Sequence, residues 1–322
     1  MKIFQKIKKE NGRIYLYLCG TKIFSYKKSS KKYNTIYGRR FDGLTEKEMR
    51  YCLEYQFKRW ADYSLNLDNP QTFNEKLQWL KLNYHNPLMT KCADKVAVRD
   101  YIKEKIGEEY LIPCLGIWDN PDDIDFNKLP NQFVLKVNWG SGQNVIVKDK
   151  SKLNIKEVRE KLHNWMKPQN NHYFHAFEWS YKDIQPKIIA EKYIEQMDGK
   201  LLDYKFFCFN GEPKYCQIDA DRFTKHTRCF YDMQFQKQDF KLIYATYDGK
   251  ILLPQKFSEM QKAAKILSKG FPYVRVDFFI IGNTIYVGEI TFYPEAGYGK
   301  FDPLEWDKKL GDLLVLPSKD VS

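Results

Sequence analysis

Two stretches near the start of the chain have the pattern of a helix that opens with a capping box. Thr45 and Thr72 are each followed three residues later by a glutamate, and apolar residues then recur every three or four positions. Similar apolar spacing returns at intervals to the end of the chain. The predicted helices span residues 45–62, 72–82, 94–106, 155–166, 258–269 and 304–314.

From residue 133 onward, the helical period gives way in several places to the two-residue alternation of strands. Runs rich in Val, Ile, Phe and Tyr are separated by Gly, Asn and Asp. Antiparallel hairpins mixed among helices favour an α+β fold over a doubly wound parallel sheet. The predicted strands span 133–138, 144–148, 188–194, 204–209 and 214–218, followed by a hairpin of 274–281 against 285–292.

The final hairpin carries two acidic residues that can share one face. The side-chain period of two places Asp277 with Arg275 and Glu289 with Thr291. A three-residue turn at 282–284 would set Asp277 opposite Glu289, whereas a two-residue turn would put the acids on opposite faces. Facing carboxylates repel unless a cation compensates them, and hard oxygen ligands suit Mg²⁺. The alternative is a pair of exposed acids that never meet.

A lysine on a strand precedes a loop of small residues. Lys136 and Asn138 share one strand face, and Gly140, Ser141 and Gly142 follow. A lysine beside exposed backbone N–H groups favours a phosphate site. The pattern is neither the GxxxxGK[ST] phosphate loop nor the dinucleotide GxGxxG motif. A simple surface hairpin is the alternative.

Other polar residues give weaker signals. Lys205 shares a strand face with Asp203, so it can offer a charge to a phosphate or pair locally. His172 and His175 have no companions at zinc spacing and are interpreted as loop residues. No Ser or Cys lies in a nucleophile motif, which argues against covalent catalysis by the protein.

Nearly all of the net charge of +12 lies at the start of the chain, because residues 1–40 hold twelve Lys or Arg and one acidic residue. Basic residues interleaved with aromatic ones suit an anionic membrane surface. A solvated basic tail without a partner is the alternative, and nucleic acid is a weaker one. The seven cysteines form no CxxC pair, and no apolar run is long enough to span a bilayer. We therefore expect a cytoplasmic protein, and the basic segment leaves contact with the inner face of the membrane and a solvated tail as open alternatives.

These patterns together resemble the ATP-grasp superfamily, in its teichuronopeptide-biosynthesis (TupA-like) branch, over about residues 69–317. The residues that carry the resemblance are Ala93-Asp94-Lys95, Phe133-Val134-Leu135-Lys136, Ile189-Ala190-Glu191-Lys192-Tyr193-Ile194, Arg275-Val276-Asp277 and Gly288-Glu289-Ile290-Thr291. The resemblance implies a nucleotide held between two α+β subdomains. The expected domains are a basic aromatic segment (1–44), a helical region (45–94), a subdomain with the phosphate-binding lysine and loop (95–195) and a subdomain with the Mg²⁺ carboxylates (196–322).

The resemblance also implies ATP and Mg²⁺ as cofactors and gives the motif residues roles. Asp277 and Glu289 would bind Mg²⁺, together with Thr291, which stands where many relatives carry Asn. The catalytic residues would be Lys136, which holds ATP phosphates, and Lys205 and Arg275, which neutralise the transferred phosphoryl group. The residues expected to hold ATP are Lys95, Lys136, Gly140, Ser141, Gly142, Glu191, Lys192, Tyr193, Ile194 and Lys205.

The implied reaction is ATP-dependent joining of a carboxylate to an amine through an acylphosphate. The branch suggests an acidic sugar or nucleotide sugar in capsule or cell-surface polysaccharide synthesis as the acid. A carbohydrate kinase and a non-catalytic glycan- or membrane-binding subunit are the alternatives. The candidates for holding the anionic sugar, chosen for position and chemistry, are Arg222, Arg228, Tyr231 and Tyr298.

Overall fold

The computed structural model describes residues 6–10, 13–18, 21–27, 30–194, 202–220, 226–247, 249 and 251–318. The chain divides into two compact units, residues 1–65 and 66–322. None of the helices in the described ranges is both long and apolar enough to cross a membrane.

The first unit combines a three-stranded antiparallel meander with two helices. The strands are β1 (Lys6–Glu10), β2 (Arg13–Leu18) and β3 (Thr21–Lys27), and the helices are α1 (Lys31–Gly38) and α2 (Glu46–Trp60). The predicted capping box is present, since the Thr45 hydroxyl accepts from the Glu48 amide and the Glu48 carboxylate accepts from the Thr45 amide. Stacked rings of Tyr33 and Tyr55, with centroids 4.3 Å apart, join the two helices. The meander was not predicted, because frequent lysines mask the two-residue alternation of the sequence.

The second unit contains most of the predicted helices. Its helix α3 opens with the expected capping box of Thr72 and Glu75. The helix predicted over 94–106 begins only at Val98, because Asp94 has an extended backbone and its side chain accepts from the Val96 amide. The helices are α3 (Phe73–Asn83), α4 (Pro87–Ala93), α5 (Val98–Ile106), α6 (Ile155–Trp165), α7 (Tyr173–Ala176), α8 (Phe257–Ser268) and α9 (Glu305–Leu313).

A four-stranded antiparallel sheet contains the predicted lysine strand and is ordered β4-β7-β5-β6. The strand after the glycine-containing loop pairs directly with the lysine strand, and Lys136 lies opposite Asn144. The strands are β4 (Cys114–Trp118), β5 (Phe133–Val137), β6 (Asn144–Val147) and β7 (Ile188–Lys192).

A six-stranded antiparallel sheet contains the acidic hairpin and is ordered β11-β10-β9-β8-β13-β14. Two short strands, β12 and β15, form a separate antiparallel pair. The strands are β8 (Asp203–Phe209), β9 (Glu212–Ala220), β10 (Thr227–Asp232), β11 (Lys237–Gln238), β12 (Lys241–Leu242), β13 (Tyr273–Ile281), β14 (Thr284–Thr291) and β15 (Phe301–Asp302).

The two faces of the six-stranded sheet differ in chemistry. On one face, α8 packs through apolar residues, and the rings of Phe206 and Phe257 lie 5.4 Å apart. On the other face, Phe73 of α3 packs on Tyr273 with ring centroids 4.8 Å apart. Lys205 and Asp277 lie on this second face, since each is one residue from an apolar side chain on the α8 face. The apolar packing therefore leaves a charged band on one side of the sheet.

Candidate active site

A β-bulge brings the two predicted metal-binding acids opposite each other. Of the two turns considered from the sequence, the two-residue one is formed: Ile281 pairs with Thr284, so the turn is Gly282 and Asn283. That register alone would separate the acids. The extra residue Gly288 shifts the pairing, however, and Asp277 lies opposite Glu289 and Arg275 opposite Thr291. The acids therefore face each other across a two-residue turn, because the bulge restores the pairing that such a turn alone would remove.

Asp277 is the centre of a buried charge network. It is 4% exposed, its Oδ1 accepts from Arg275 Nε at 2.7 Å, and its Oδ2 accepts from Arg275 Nη2 at 2.8 Å and from Lys205 Nζ at 2.6 Å. Strand β8 supplies Lys205 directly opposite Asp277. Burial raises the pKa of Asp277, but Arg275 and Lys205 outweigh burial and the net shift is downward. Asp277 is therefore held ionised between two cations.

Glu289 is bound more loosely than Asp277. Its side chain is 31% exposed, with Oε2 4.0 Å from Arg275 Nη2 and Oε1 3.8 Å from Lys95 Nζ. It therefore lies between the charge network of the six-stranded sheet and a lysine from the segment between α4 and α5. An acid in this position retains oxygen lone pairs for a cation.

Lys95 joins this acid to the glycine-containing loop. The Lys95 amide donates to Asn138 O at 3.0 Å, and Nζ donates to Gly140 O at 2.7 Å. Burial lowers the pKa of the ammonium, and the carboxylate of Glu289 offsets part of this effect. The lysine thus contacts both sides of the site.

On the four-stranded sheet, Lys136 forms an ion pair with Glu191, which was predicted to hold ATP. Lys136 Nζ donates to Glu191 Oε2 at 2.7 Å, and Arg99 Nη1 lies 3.3 Å from Glu191 Oε1. Arg99 also donates to Ile112 O at 2.9 Å. Arg99 was not predicted, because a basic residue on an amphipathic helix resembles an ordinary surface cation and only the tertiary fold brings it to Glu191.

A cleft lies between Lys136, Glu191 and Arg99 on one side and strand β14 on the other. Its wall near α5 is apolar, and Lys95, Arg99, Lys136, Glu191 and Glu289 supply its charges. A pocket that combines an apolar wall with a few convergent charges suits a nucleotide. The apolar lining residues are Val98, Ile102, Leu111, Ile112, Val287 and Ile290.

Three further ATP candidates continue from β7. Lys192 has an exposed side chain, Tyr193 is buried, and Ile194 is the last described residue before a gap. In the described chain these three residues are not part of the lining of this cleft. Their assignment to the nucleotide stays a prediction.

The loop at 140–142 has the geometry that its glycines predict. Gly140 and Gly142 have φ of +71° and +74°, in the left-handed region that favours glycine. The exposed Ser141 donates its amide hydrogen to His172 Nε2 at 3.2 Å. A Cβ on Gly140 would lie 2.9 Å from His172 Cδ2, so the imidazole packs directly on the loop. Sequence reasoning missed this contact, because 31 residues separate His172 from Ser141.

The residues at the bulged hairpin fit Mg²⁺. Two carboxylates face each other there, and Thr291 Oγ1 on the same strand as Glu289 is buried without a hydrogen-bond partner. Among the described residues, no three His, Cys, Asp or Glu side chains converge as a metal cluster. An ion held by Asp277 and Glu289 would therefore need oxygen ligands from elsewhere, such as nucleotide phosphates.

The predicted sugar-binding residues are not gathered in one place. Arg228 is 4% exposed and pairs with Asp219, Nε to Oδ1 at 2.6 Å, and with Glu295, Nη1 to Oε1 at 2.9 Å. Tyr231 lies on the α8 face of the sheet and stacks on Phe235, 4.3 Å between centroids. The structure therefore does not bring Tyr231 to Arg228.

The remaining sugar candidates are Tyr298 and Arg222. Lys81 Nζ lies 4.8 Å from the ring centroid of Tyr298. Lys81 also donates to the carbonyl of Ala296, which has a left-handed backbone with φ of 52°. Arg222 lies outside the described residues.

A comparison with protein families supports the nucleotide interpretation. The family model described as "TupA-like ATPgrasp" matches residues 75–315. This chain belongs to the TupA-like ATP-grasp family. Membership confirms the expected α+β ATP-grasp fold, the ATP-dependent enzyme class of ATP-grasp ligases, and ATP and Mg²⁺ as cofactors.

Solved structures of ATP-grasp ligases are similar to this TupA-like chain at low identity. A D-alanine–D-alanine ligase from Bacillus anthracis is 22% identical with a TM-score of 0.35, over 62% of this chain and 57% of that one. The same ligase complexed with ATP is 20% identical with a TM-score of 0.42, over 75% and 72%. The ligase from Helicobacter pylori is 13% identical with a TM-score of 0.40, over 70% and 60%. No curated protein matches the chain significantly.

Proposed function

We propose that this TupA-like protein is a carboxylate–amine ligase that activates an acidic sugar, free or nucleotide-linked, and joins it to an amine during cell-surface polysaccharide synthesis. The observation that carries the proposal is the placement of Asp277 opposite Glu289, with Lys205 and Arg275 bonded to Asp277. Carboxylates for a divalent cation and cations for a phosphoryl group are thus combined on one sheet.

The cations of the cleft have distinct tasks in this proposal. Lys95 and Lys136 bind the nucleotide phosphates beside the loop at 140–142, and both are already oriented by hydrogen bonds. Lys205 and Arg275 stabilise charge on the transferred phosphoryl group. Mg²⁺, held by Asp277 and Glu289, would neutralise phosphate charge when bound. Preorganised charges of this kind act without reorganisation during the reaction.

The reaction needs no nucleophile from the protein. The carboxylate of the acceptor attacks the γ-phosphorus of ATP and forms an acylphosphate and ADP. An amine then attacks the acyl carbon, and phosphate leaves. The protein contributes the relative positions of acid, amine and phosphate, which account for a large share of such rate enhancements.

The proposed acceptor contacts are Arg228, Tyr298 and Arg222. Because Arg228 lies between the carboxylates of Asp219 and Glu295, the cluster offers hydrogen-bond donors and acceptors together. That combination suits sugar hydroxyl groups, which both donate and accept. Tyr231 is left out of the proposed contacts, since it lies on the opposite face of the sheet.

The ligase proposal is tested by phosphorus NMR of the full chain with Mg·ATP, UDP-glucuronate or an acidic oligosaccharide, and a pool of amines. We expect ADP and free phosphate only when acid and amine are both present. ADP with a new sugar phosphate signal would instead establish a kinase. Lys136→Met is the control that should lower the rate of either signal about a hundredfold while the protein stays folded.

We also propose that the basic start of the chain places the enzyme at the anionic inner face of the membrane. Residues 1–40 hold nearly all of the net positive charge, and each nearby Lys or Arg contributes about 1 kcal/mol at such a surface. Deletion of residues 1–29 keeps α1 and α2 and should abolish binding to vesicles that contain phosphatidylglycerol. Unchanged binding would contradict this part of the proposal.

A further inference from the structure

His172 is the one side chain in the described residues that bonds to the glycine-containing loop at Ser141, yet it has no part in the proposed reaction. Its Nε2 accepts the Ser141 amide hydrogen at 3.2 Å, and its ring packs on Gly140. On the other side, Nδ1 lies 3.7 Å from Glu178 Oε1, and Glu178 is 5% exposed. The imidazole therefore bridges a phosphate-loop amide and a buried carboxylate.

These contacts determine where the ring carries its proton. An amide nitrogen only donates, so Nε2 must be unprotonated while the contact with Ser141 exists. The neutral ring then carries its hydrogen on Nδ1, towards Glu178. A second proton on Nε2 would set two donors against each other and break the contact with Ser141. Protonation of His172 and release of the Ser141 amide are therefore linked.

The charges around the ring favour this second proton when an anion is near. Burial lowers the pKa of His172, but Glu178 more than offsets burial, so the net shift is upward. Of the other charged groups near the ring, Lys95 lowers the pKa and Glu289 raises it. Tyr181, whose ring lies 5.3 Å away, is neutral because burial raises its pKa well above the ordinary value. A phosphate group would add negative charge and raise the pKa of His172 further.

We propose that His172 binds the nucleotide phosphate and couples this binding to uptake of one proton. Without nucleotide it accepts the Ser141 amide hydrogen; when a phosphate oxygen takes that hydrogen, Nε2 gains a proton from solvent and donates to the same phosphate. The Ser141 amide N–H, which was bonded to His172, and the newly formed Nε2–H of His172 thereby both become donors to the triphosphate. This inference rests on the proposed role of the loop at 140–142 in phosphate binding.

Titration calorimetry of the full chain with Mg·ATP, in two buffers of different ionisation enthalpy at one pH, measures the proton uptake. We expect the wild type to take up more protons than His172→Asn, whose side chain cannot be protonated. The affinity of the wild type should rise as the pH falls from 8.5 to 6.5. The variant should lack most of this rise and bind about tenfold more weakly at the lower pH, the loss of one charge-assisted hydrogen bond.

Two further variants serve as controls for the role of His172. His175→Asn changes an exposed histidine on α7, three residues after His172, and should behave as the wild type. Glu178→Gln removes the charge that faces Nδ1 and should move the pH dependence to lower pH, whether or not His172→Asn folds well. Equal proton uptake by wild type and His172→Asn, with ATP still bound, would overturn the role of His172 alone. Absence of Mg·ATP binding by the wild type would overturn the proposed phosphate site and this inference with it.

Discussion

The two sheets of the second unit hold their functional charges in different ways. On the six-stranded sheet, cross-strand pairing places Asp277 against Lys205, and Asp277 accepts three charge-assisted hydrogen bonds. On the four-stranded sheet, Lys136 has one carboxylate partner, and the adjoining loop is bonded to a histidine from a distant segment. One sheet is thus a rigid arrangement of buried charges, whereas the other offers side chains and amides that can exchange partners for a ligand.

The largest effect should follow from breaking the rigid arrangement. Asp277→Ala leaves Lys205 buried without its ion-pair partner and Arg275 with only Glu289 at 4.0 Å, so we expect the free energy of unfolding to fall by about 3–5 kcal/mol, together with loss of ATP turnover. Denaturant unfolding measures the first and ADP release the second. Glu289→Gln is the matched comparison: its side chain is 31% exposed and its cations lie 3.8–4.0 Å away, so turnover should fall with little loss of stability. If Glu289→Gln lost as much stability as Asp277→Ala, the two acids would not differ in how firmly they are held.

On the four-stranded sheet, a substitution should lower ATP turnover far more than stability. Lys136→Met removes a phosphate-binding cation, and we expect ATP turnover to fall about a hundredfold, a typical loss for one preorganised charged donor. Stability should change by less than about 1 kcal/mol, because Glu191 keeps Arg99 at 3.3 Å. Lys152→Met, at an exposed lysine outside the cleft, controls for the change in net charge. Unchanged turnover in Lys136→Met would remove this lysine from the proposed site.

Local patterns in the sequence predicted much of this fold. The capping residues Thr45 and Thr72 start helices within one residue of the predicted positions, because an N-cap is a contact within one turn. From the sequence, the facing of Asp277 and Glu289 depended on a three-residue turn, and the structure produces it in another way. Two deviations, a shorter turn and an added residue at Gly288, cancel in the register. A bulge has little signature in one sequence beyond the glycine itself.

The parts that sequence reasoning missed depend on contacts between distant segments. Arg99 reaches Glu191 across 92 positions, and His172 reaches Ser141 across 31. Arg228 was predicted to hold an anionic sugar, but a sequence does not show that two carboxylates already surround its guanidinium. Residue type and strand face are local properties, whereas the partner that neutralises a charge is set by the tertiary fold.

Acid should weaken the six-stranded sheet through its second buried ion pair. Burial raises the pKa of Asp219, but Arg228 outweighs burial and lowers it from 3.8 to about 2. A carboxyl group with a depressed pKa contributes stability above its unfolded value and loses it as the pH falls through the folded value. We expect Asp219 to account for a loss of about 2 kcal/mol between about pH 4 and pH 2. Urea unfolding across this range should show a shallower decline for Asp219→Asn; an identical decline would contradict the assignment.

The smallest perturbation, alkylation of single thiols, reports on rigidity without changing a charge in the site. Cys114 on β4 of the four-stranded sheet is exposed, whereas Cys208 and Cys216 of the six-stranded sheet are fully buried. Burial also raises the pKa of Cys208 to about 12, so this thiol lacks both access and the reactive thiolate form. Iodoacetamide at pH 8 followed by peptide mass spectrometry should modify Cys114 in the native protein and the two buried thiols only after unfolding. Modification of Cys208 at the rate of Cys114 would mean that the six-stranded sheet opens locally, and buried charges in such a sheet could not serve as a preorganised site.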